Sequence, residues 1–156
     1  MNKAMLLALG SLWLFAAGCA QNGVLPAALP GLERMTDDQK IAYVLEDVWR
    51  GMEARRVYQV LAHVSPRYLD QEGRDYTAMQ EHVAYIMKAY TSIKITRMRP
   101  KIWIAGERAR AVETFGTIAA PRDERKDPPI NLQGQVMVYL ERAGGTWQIV
   151  EWGPLQ

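Results

Sequence analysis

Residues 132–152 read LQGQVMVYLERAGGTWQIVEW, and the period of this stretch decides the fold. Leu132, Gly134, Val136, Val138 and Leu140 alternate with Gln133, Gln135, Met137 and Tyr139, the spacing of a strand with one face turned inward. Gly144-Gly145 follows, a pair that can take positive φ, so Trp147 to Trp152 is expected to fold back as the second strand of a hairpin. Such a hairpin has one apolar face to cover, and the preceding chain must supply the cover.

Upstream, Arg108 to about Ala119 reads as another long strand, entered from a turn at Ala105-Gly106-Glu107. Ile93 and Ile95 alternate with Lys94 and Thr96, and Ile102 to Ile104 resumes the pattern after Pro100. Pro121 to Pro129 (PRDERKDPP) is charged and proline-rich, hence a loop. Before these strands the period is helical. Thr36-Asp37-Asp38-Gln39 matches a capping box, with two aspartates suited to the positive helix end. Ile41, Val44, Leu45, Val48, Trp49 and Met52 then form one apolar stripe. Val57, Val60, Leu61 and Val64 predict a short second helix stopped by Ser65-Pro66, and Arg67 to Arg74 is a polar loop with Tyr68, Leu69 and Gly73. A third helix is expected from about Tyr76 to Tyr90, with Tyr76, Met79, Val83, Ile86, Met87 and Tyr90 inward. Three helices followed by about four or five mostly antiparallel strands make an α+β domain over residues 36–156.

The chain has 156 residues, about half apolar and a quarter charged, enough for one ordinary domain once a leader is removed. The formal charge is +2, and Lys3 in the leader supplies one unit of it, so no global field draws in nucleic acid. Arg97, Arg99, Lys101, Arg108 and Arg110 gather locally and read as a solvated face. Cys19 is the only cysteine, so an intrachain disulfide is excluded.

Met1-Asn2-Lys3 is a short positive start, and Ala4 to Ala17 follows without a charge, the length and flanks of an export signal over residues 1–18. It ends in Ala16-Ala17-Gly18-Cys19, which resembles the lipobox of bacterial lipoproteins. The resemblance implies cleavage before Cys19 and acylation of its sulfur, which tethers the chain to a lipid bilayer in the cell envelope. Ala16 stands where Leu is usual, which weakens the match. An uncut anchor and an ordinary signal cleavage remain the alternatives. Two or more acyl chains would hold firmly where one holds marginally. Ala20, in place of Asp, implies the outer membrane, facing the periplasm, in a Gram-negative envelope. Residues 19–35, with two prolines and two glycines in QNGVLPAALPG, read as a linker reaching at most about 55 Å.

The element order, ending in Gly145-Thr146-Trp147-Gln148-Ile149-Val150, is similar to the nuclear transport factor 2-like superfamily, with its SnoaL-like and ketosteroid-isomerase-like members. Arg55-Arg56 stands where many relatives have Gly-Asp, and Ser65-Pro66-Arg67-Tyr68 resembles their aromatic-bearing loop. The resemblance implies a cone: N-terminal helices packed on a curved, mostly antiparallel, cystatin-like sheet, with an open end that is often a pocket. It also implies dimerisation through the sheet. Fold alone does not assign an activity, since this architecture serves enzymes and non-catalytic domains alike.

Chemistry is sparse. His63 and His82 share no metal-ligand spacing with each other or with Cys19, and no phosphate loop, nucleophile elbow or nucleotide fingerprint is present, so neither metal nor cofactor is expected. His82 borders the stripe of the third helix and is expected to be half-buried; His63 ends the second helix, where a cation suits the dipole. Strand parity puts Glu113 on the face of Ala111 and Phe115, and Glu151 on that of Trp147 and Ile149. A carboxylate on an apolar face has a raised pKa and can serve as a base near neutral pH, with Tyr68, Tyr85 or Tyr139 as donor. A single bulge would invert that parity. Trp49, Tyr68, Tyr85, Trp103, Glu113, Tyr139 and Trp152 are the candidate ligand-binding residues. The leading expectation is a tethered, non-catalytic domain binding a small apolar ligand or an envelope protein. An isomerase, dehydratase or hydrolase is second and requires Glu113, Glu151, Asp70 or a histidine to converge with a tyrosine. An assembly subunit, marked by an exposed apolar sheet face, is third.

Overall fold

A computed structural model describes residues 34–156. The export signal over residues 1–18, Cys19 and the linker up to residue 33 lie outside the described residues. The elements are α1 (Asp37–Glu53), α2 (Val57–Leu61), α3 (Tyr76–Ala89), β1 (Tyr90–Arg97), β2 (Lys101–Ala105), β3 (Arg108–Pro121), β4 (Ile130–Ala143) and β5 (Thr146–Trp152). The α+β class is as expected: helices lie on one face of a curved antiparallel sheet.

α1 starts on the capping box, with Thr36 accepting from the Gln39 backbone and the Gln39 side chain accepting from Thr36 N–H. Its stripe of Ile41, Val44, Leu45 and Val48 is buried against Ala109, Ala111, Val136, Val138, Leu140, Trp147 and Ile149 of the sheet. Asp37 also ties the helix start to the hairpin, accepting from Trp147 Nε1 at 3.2 Å and pairing with Arg142 at 3.0 Å. Arg142 in turn lies 5.0 Å from the Trp147 ring centroid. α2 is shorter than its apolar spacing suggests, because Ala62–His63 already turns and Val64 bridges to Ile149. α3 ends at Ala89, and Tyr90 opens β1 directly, buried in a second small cluster with Ala89, Ile93 and Ala119.

β3 pairs along its whole length with β4 on one side. Its other side is divided: Arg108 to Val112 pairs with β2 and Phe115 to Pro121 with β1. β1 and β2 therefore form one edge strand broken at Met98-Arg99-Pro100. Proline has no N–H to donate there. The hairpin turn forms as the sequence requires, with Gly144 at φ 58° and Gly145 at φ 82°. Both outer edges of the sheet are partly covered. On β5, His63 and Ser65 exchange backbone hydrogen bonds with Ile149, and Leu69 N–H donates to Val150. On β1, Glu53 accepts from Ile95 N–H at 2.9 Å and Arg55 donates to Tyr90 O.

One irregularity changes the reading of β5. Leu140 faces Ile149, but Tyr139 faces Glu151, so Val150 is an extra residue in the strand. Parity inverts beyond it. Glu151 turns to the outer face with Tyr139, contrary to the face expected from Trp147 and Ile149. Trp152, opposite Val138, comes to the inner face and packs on Tyr68, ring centroids 6.0 Å apart.

Candidate functional site

Glu113 is the exception on the inner face of β3, a carboxyl only 3% exposed among apolar neighbours. α1 supplies its one hydrogen-bond donor: Trp49 Nε1 donates to Oε1 at 2.7 Å, and the Trp49 ring packs on Phe115 at 5.5 Å. Oε2 is buried and has no hydrogen-bond partner among the described residues. Burial pushes the pKa of Glu113 up to about 7, against the opposing pull of the Trp49 hydrogen bond and the Arg97 charge. The group therefore changes protonation near neutral pH.

Glu113 lies against a cleft of about 320 Å³ that opens where the edge strand is broken. α1 contributes Ala42, Leu45 and Glu46; the strand break contributes Ile95, Arg97, Met98, Arg99 and Pro100. Arg97, opposite Phe115 in the sheet, pairs with Glu46 at 2.7 Å, and Glu46 also receives Arg50 at 2.9 Å. The cleft thus combines apolar side chains with a buried carboxyl, the Arg97–Glu46 ion pair and the exposed Arg99. Its volume is at the small end of ligand sites.

The seven candidate residues do not share one cavity. Trp49 and Glu113 meet as described. Tyr68 and Trp152 meet separately, within a satisfied network. Tyr68 OH donates to Asp70 Oδ2 at 3.1 Å and accepts from Trp152 N–H at 3.4 Å. Asp70 also accepts from Arg74 Nε at 2.7 Å and from the backbone of Glu72 and Arg74. Burial alone would raise the Asp70 pKa, but the hydrogen bonds from Arg74 and Tyr68 hold it below the ordinary value. Burial likewise pushes the Tyr68 phenol up. The loop is exposed at Arg67, Leu69, Gln71, Glu72 and Gly73, as a polar loop should be, but Tyr68 and Asp70 are buried in it. Trp103, 46% exposed, lies on the outer face of β2, with the Arg110 guanidinium 5.0 Å from its ring. Tyr139 faces Arg110 from β4. Tyr85, 54% exposed on α3, hydrogen-bonds Asp127.

The histidines stand apart from the cleft. His63 Nε2 lies 2.7 Å from Asp47 Oδ2, and Gln59 donates to the other Asp47 oxygen at 2.8 Å. His82 is exposed, not half-buried, because it falls just outside the Met79–Val83–Met87 stripe. Among the described residues no group of three or more His, Cys, Asp or Glu is placed to hold a metal. Sequence reasoning missed Glu46 and placed Arg97 on a solvated face, whereas Arg97 is half-buried against Glu46; Arg99, Lys101, Arg108 and Arg110 are exposed as expected. The signal was present for Glu46, which is four residues after Ala42 and three before Trp49, on one side of α1. A larger hollow, about 580 Å³, lies over the β1–β3–β4 end of the sheet. Thr96, Thr114, Thr117, Asn131, Gln133 and Gln135 alternate in its lining with apolar Met98, Phe115, Ile118 and Leu132, and its lining holds no carboxyl among the described residues.

The sequence matches no family model and no curated protein. Solved structures are similar in fold. A candidate scytalone dehydratase from Novosphingobium aromaticivorans superposes with a TM-score of 0.67 at 14% identity, over 78% of this chain and 89% of that one. A nuclear transport factor 2-like superfamily protein from Salmonella enterica serovar Typhimurium gives 0.63 at 15% identity, over 74% and 87%. A protein of unknown function with a cystatin-like fold from Nostoc punctiforme gives 0.61 at 10% identity, over 77% and 91%. The described domain has the nuclear transport factor 2-like, cystatin-like α+β fold.

Proposed function

We propose that this domain binds a small, largely apolar ligand in the Glu113 cleft without catalysing its conversion, while Cys19 tethers the chain to the cell envelope. The observation that carries the binding reading is the Glu113 carboxyl itself, with Oε1 held by Trp49 and buried Oε2 left unpartnered beside a cleft. A polar atom left unsatisfied in a core costs free energy that a ligand can recover by supplying a donor. Catalysis of the acid–base kind asks for a second group to stabilise developing charge on the substrate. Among the described residues no tyrosine or histidine lines this cleft, and of its two cations Arg97 is already paired with Glu46 and Arg99 is exposed to solvent. The tether rests on the lipobox resemblance and on the absence of a second cysteine.

The test is purification of the chain from its native envelope, followed by mass spectrometry of bound small molecules, for the native chain and Glu113→Leu. A molecule retained by the first and lost from the folded second is expected; equal content in both would refute the site. Cys19→Ser is expected to leave the chain unprocessed or free of the membrane fraction, and unaltered processing and retention would refute the tether.

An enzyme is the second reading. It is favoured by the pKa of Glu113, about 7, which suits a general base at neutral pH. It also draws on fold neighbours described as a candidate scytalone dehydratase and a candidate aromatic ring hydroxylase. Association of two copies through the sheet face belongs to the same proposal.

A further inference from the structure

The lining of the Glu113 cleft says more about its occupant than its size does. Two guanidiniums, Arg97 and Arg99, and one carboxylate other than Glu113, that of Glu46, stand on it. Glu46 is already engaged by Arg97 and Arg50. Arg99 is exposed and makes no ion pair among the described residues. The rim therefore presents uncompensated positive charge. Ala42, Leu45, Ile95, Met98 and Pro100 supply the apolar part of the lining. At the bottom Glu113 Oε2 lacks a donor.

We propose that the cleft takes a small organic anion carrying a hydroxyl group, its anionic end meeting Arg99 and Arg97 at the rim and its hydroxyl donating to Glu113 Oε2. This rests on the binding reading above and narrows it. A cationic ligand would have to pass two guanidiniums to reach Glu113. A purely apolar ligand would leave Oε2 without a donor and Arg99 without a partner. An anion without a hydroxyl would satisfy only the rim. The amphiphilic anion meets all three regions, and its apolar body matches the walls between them.

Protonation of Glu113 removes the deep charge and puts the proton on Oε2, since Oε1 accepts from Trp49, so the same ligand hydroxyl then accepts from Oε2. The charged groups around it are Glu46 from α1, Arg97 from β1 and Arg99 from the strand break, while β4 opposes it with Val136.

The test uses the full chain in detergent and four probes on one scaffold: 4-hydroxybenzoate, its methyl ester, benzoate and tyramine. Affinity is measured by titration calorimetry, and site occupancy by the carbon-13 signal of the Glu113 carboxyl. 4-Hydroxybenzoate is expected to bind about two- to fivefold tighter than the ester, the range of an exposed ion pair. It should bind about tenfold tighter than benzoate, the range of a buried hydrogen bond. Arg99→Ala should abolish the preference over the ester without changing the affinity for the ester. Equal or tighter binding of the ester or tyramine overturns the anion assignment while leaving the cleft as a ligand site. Equal binding of benzoate overturns the hydroxyl contact. If none of the four moves the Glu113 signal, both this proposal and the binding reading fail.

Discussion

Replacing Glu113 by Gln isolates the cost of keeping a carboxyl in the core. In the fold this group holds its proton up to about pH 7, whereas its ordinary value is 4.5. Protonation therefore favours the folded state below pH 4.5. That advantage shrinks as pH rises from 4.5 towards 7 and is gone above it, where the folded protein carries a buried charge. At roughly 1.4 kcal/mol per pH unit across that interval, the ionised form is about 3 kcal/mol less stable than the protonated one. Gln keeps an acceptor for Trp49 Nε1 and cannot ionise. Urea unfolding of both proteins at half-unit steps from pH 4.5 to 8.5 gives the difference in stability, which cancels other titrating groups. Glu113→Gln is expected to gain on the native chain by about 2–4 kcal/mol between pH 4.5 and 8, with a plateau above 7.5. A difference that stays flat with pH would show that Glu113 is ionised and solvated throughout, and the reasoning about the cleft would fail with it.

Trp49→Phe removes the donor that opposes the effect of burial on Glu113, so the titration midpoint of the Glu113 carboxyl, read by carbon-13 NMR, should move above about 7; a fall would contradict the assigned contact. Asp70→Asn removes the charge that Arg74 and Tyr68 serve, at a cost of about 2–3 kcal/mol in urea unfolding at pH 7. Because the Asp70 pKa is depressed, its contribution is present above the ordinary carboxylate value and lost as pH falls through the folded value, so the native chain and Asp70→Asn should converge in acid. Gly134→Ala would place a Cβ 2.6 Å from Leu155 Cδ1 and 2.8 Å from Gln156 O, displacing the tail that pairs with Gln135. Hydrogen exchange at the Gln135 and Gln156 amides should accelerate, with about 1 kcal/mol of stability lost; unchanged exchange would mean that the tail adjusts without unpairing.

The elements that declared themselves in the sequence are those governed by local physics. The Thr36–Gln39 box, the stripe from Ile41 to Val48 and the Gly144-Gly145 turn each depend on residues within one or two turns of chain. What was illegible depends on distant partners. Trp49 and Glu113 are 64 residues apart, and only the folded sheet places an indole N–H against that carboxyl. Glu151 and Trp152 exchanged faces because Val150 bulges, and nothing in a run of alternating residues marks which one is extra. Tyr68 and Asp70 lay in a stretch whose polarity suggested solvent, yet Arg74 neutralises the carboxylate and lets the loop close inward. Arg97 looked like part of a solvated face because nothing in the composition shows that it meets Glu46 of α1 beside the strand break.

The covered sheet edges bear on how this protein behaves when crowded. An unpaired strand edge is a template on which other chains can add strands. Here residues 63–69 occupy β5, while Glu53 and Arg55 occupy part of β1. That leaves only short runs open among the described residues: β2, five residues long and next to a proline break, the middle of β1, and the start of β4 on the side away from β3. So short a template nucleates poorly. Copies concentrated on a two-dimensional surface would meet through side chains of the sheet face and not through backbone strand addition, which keeps their encounters reversible.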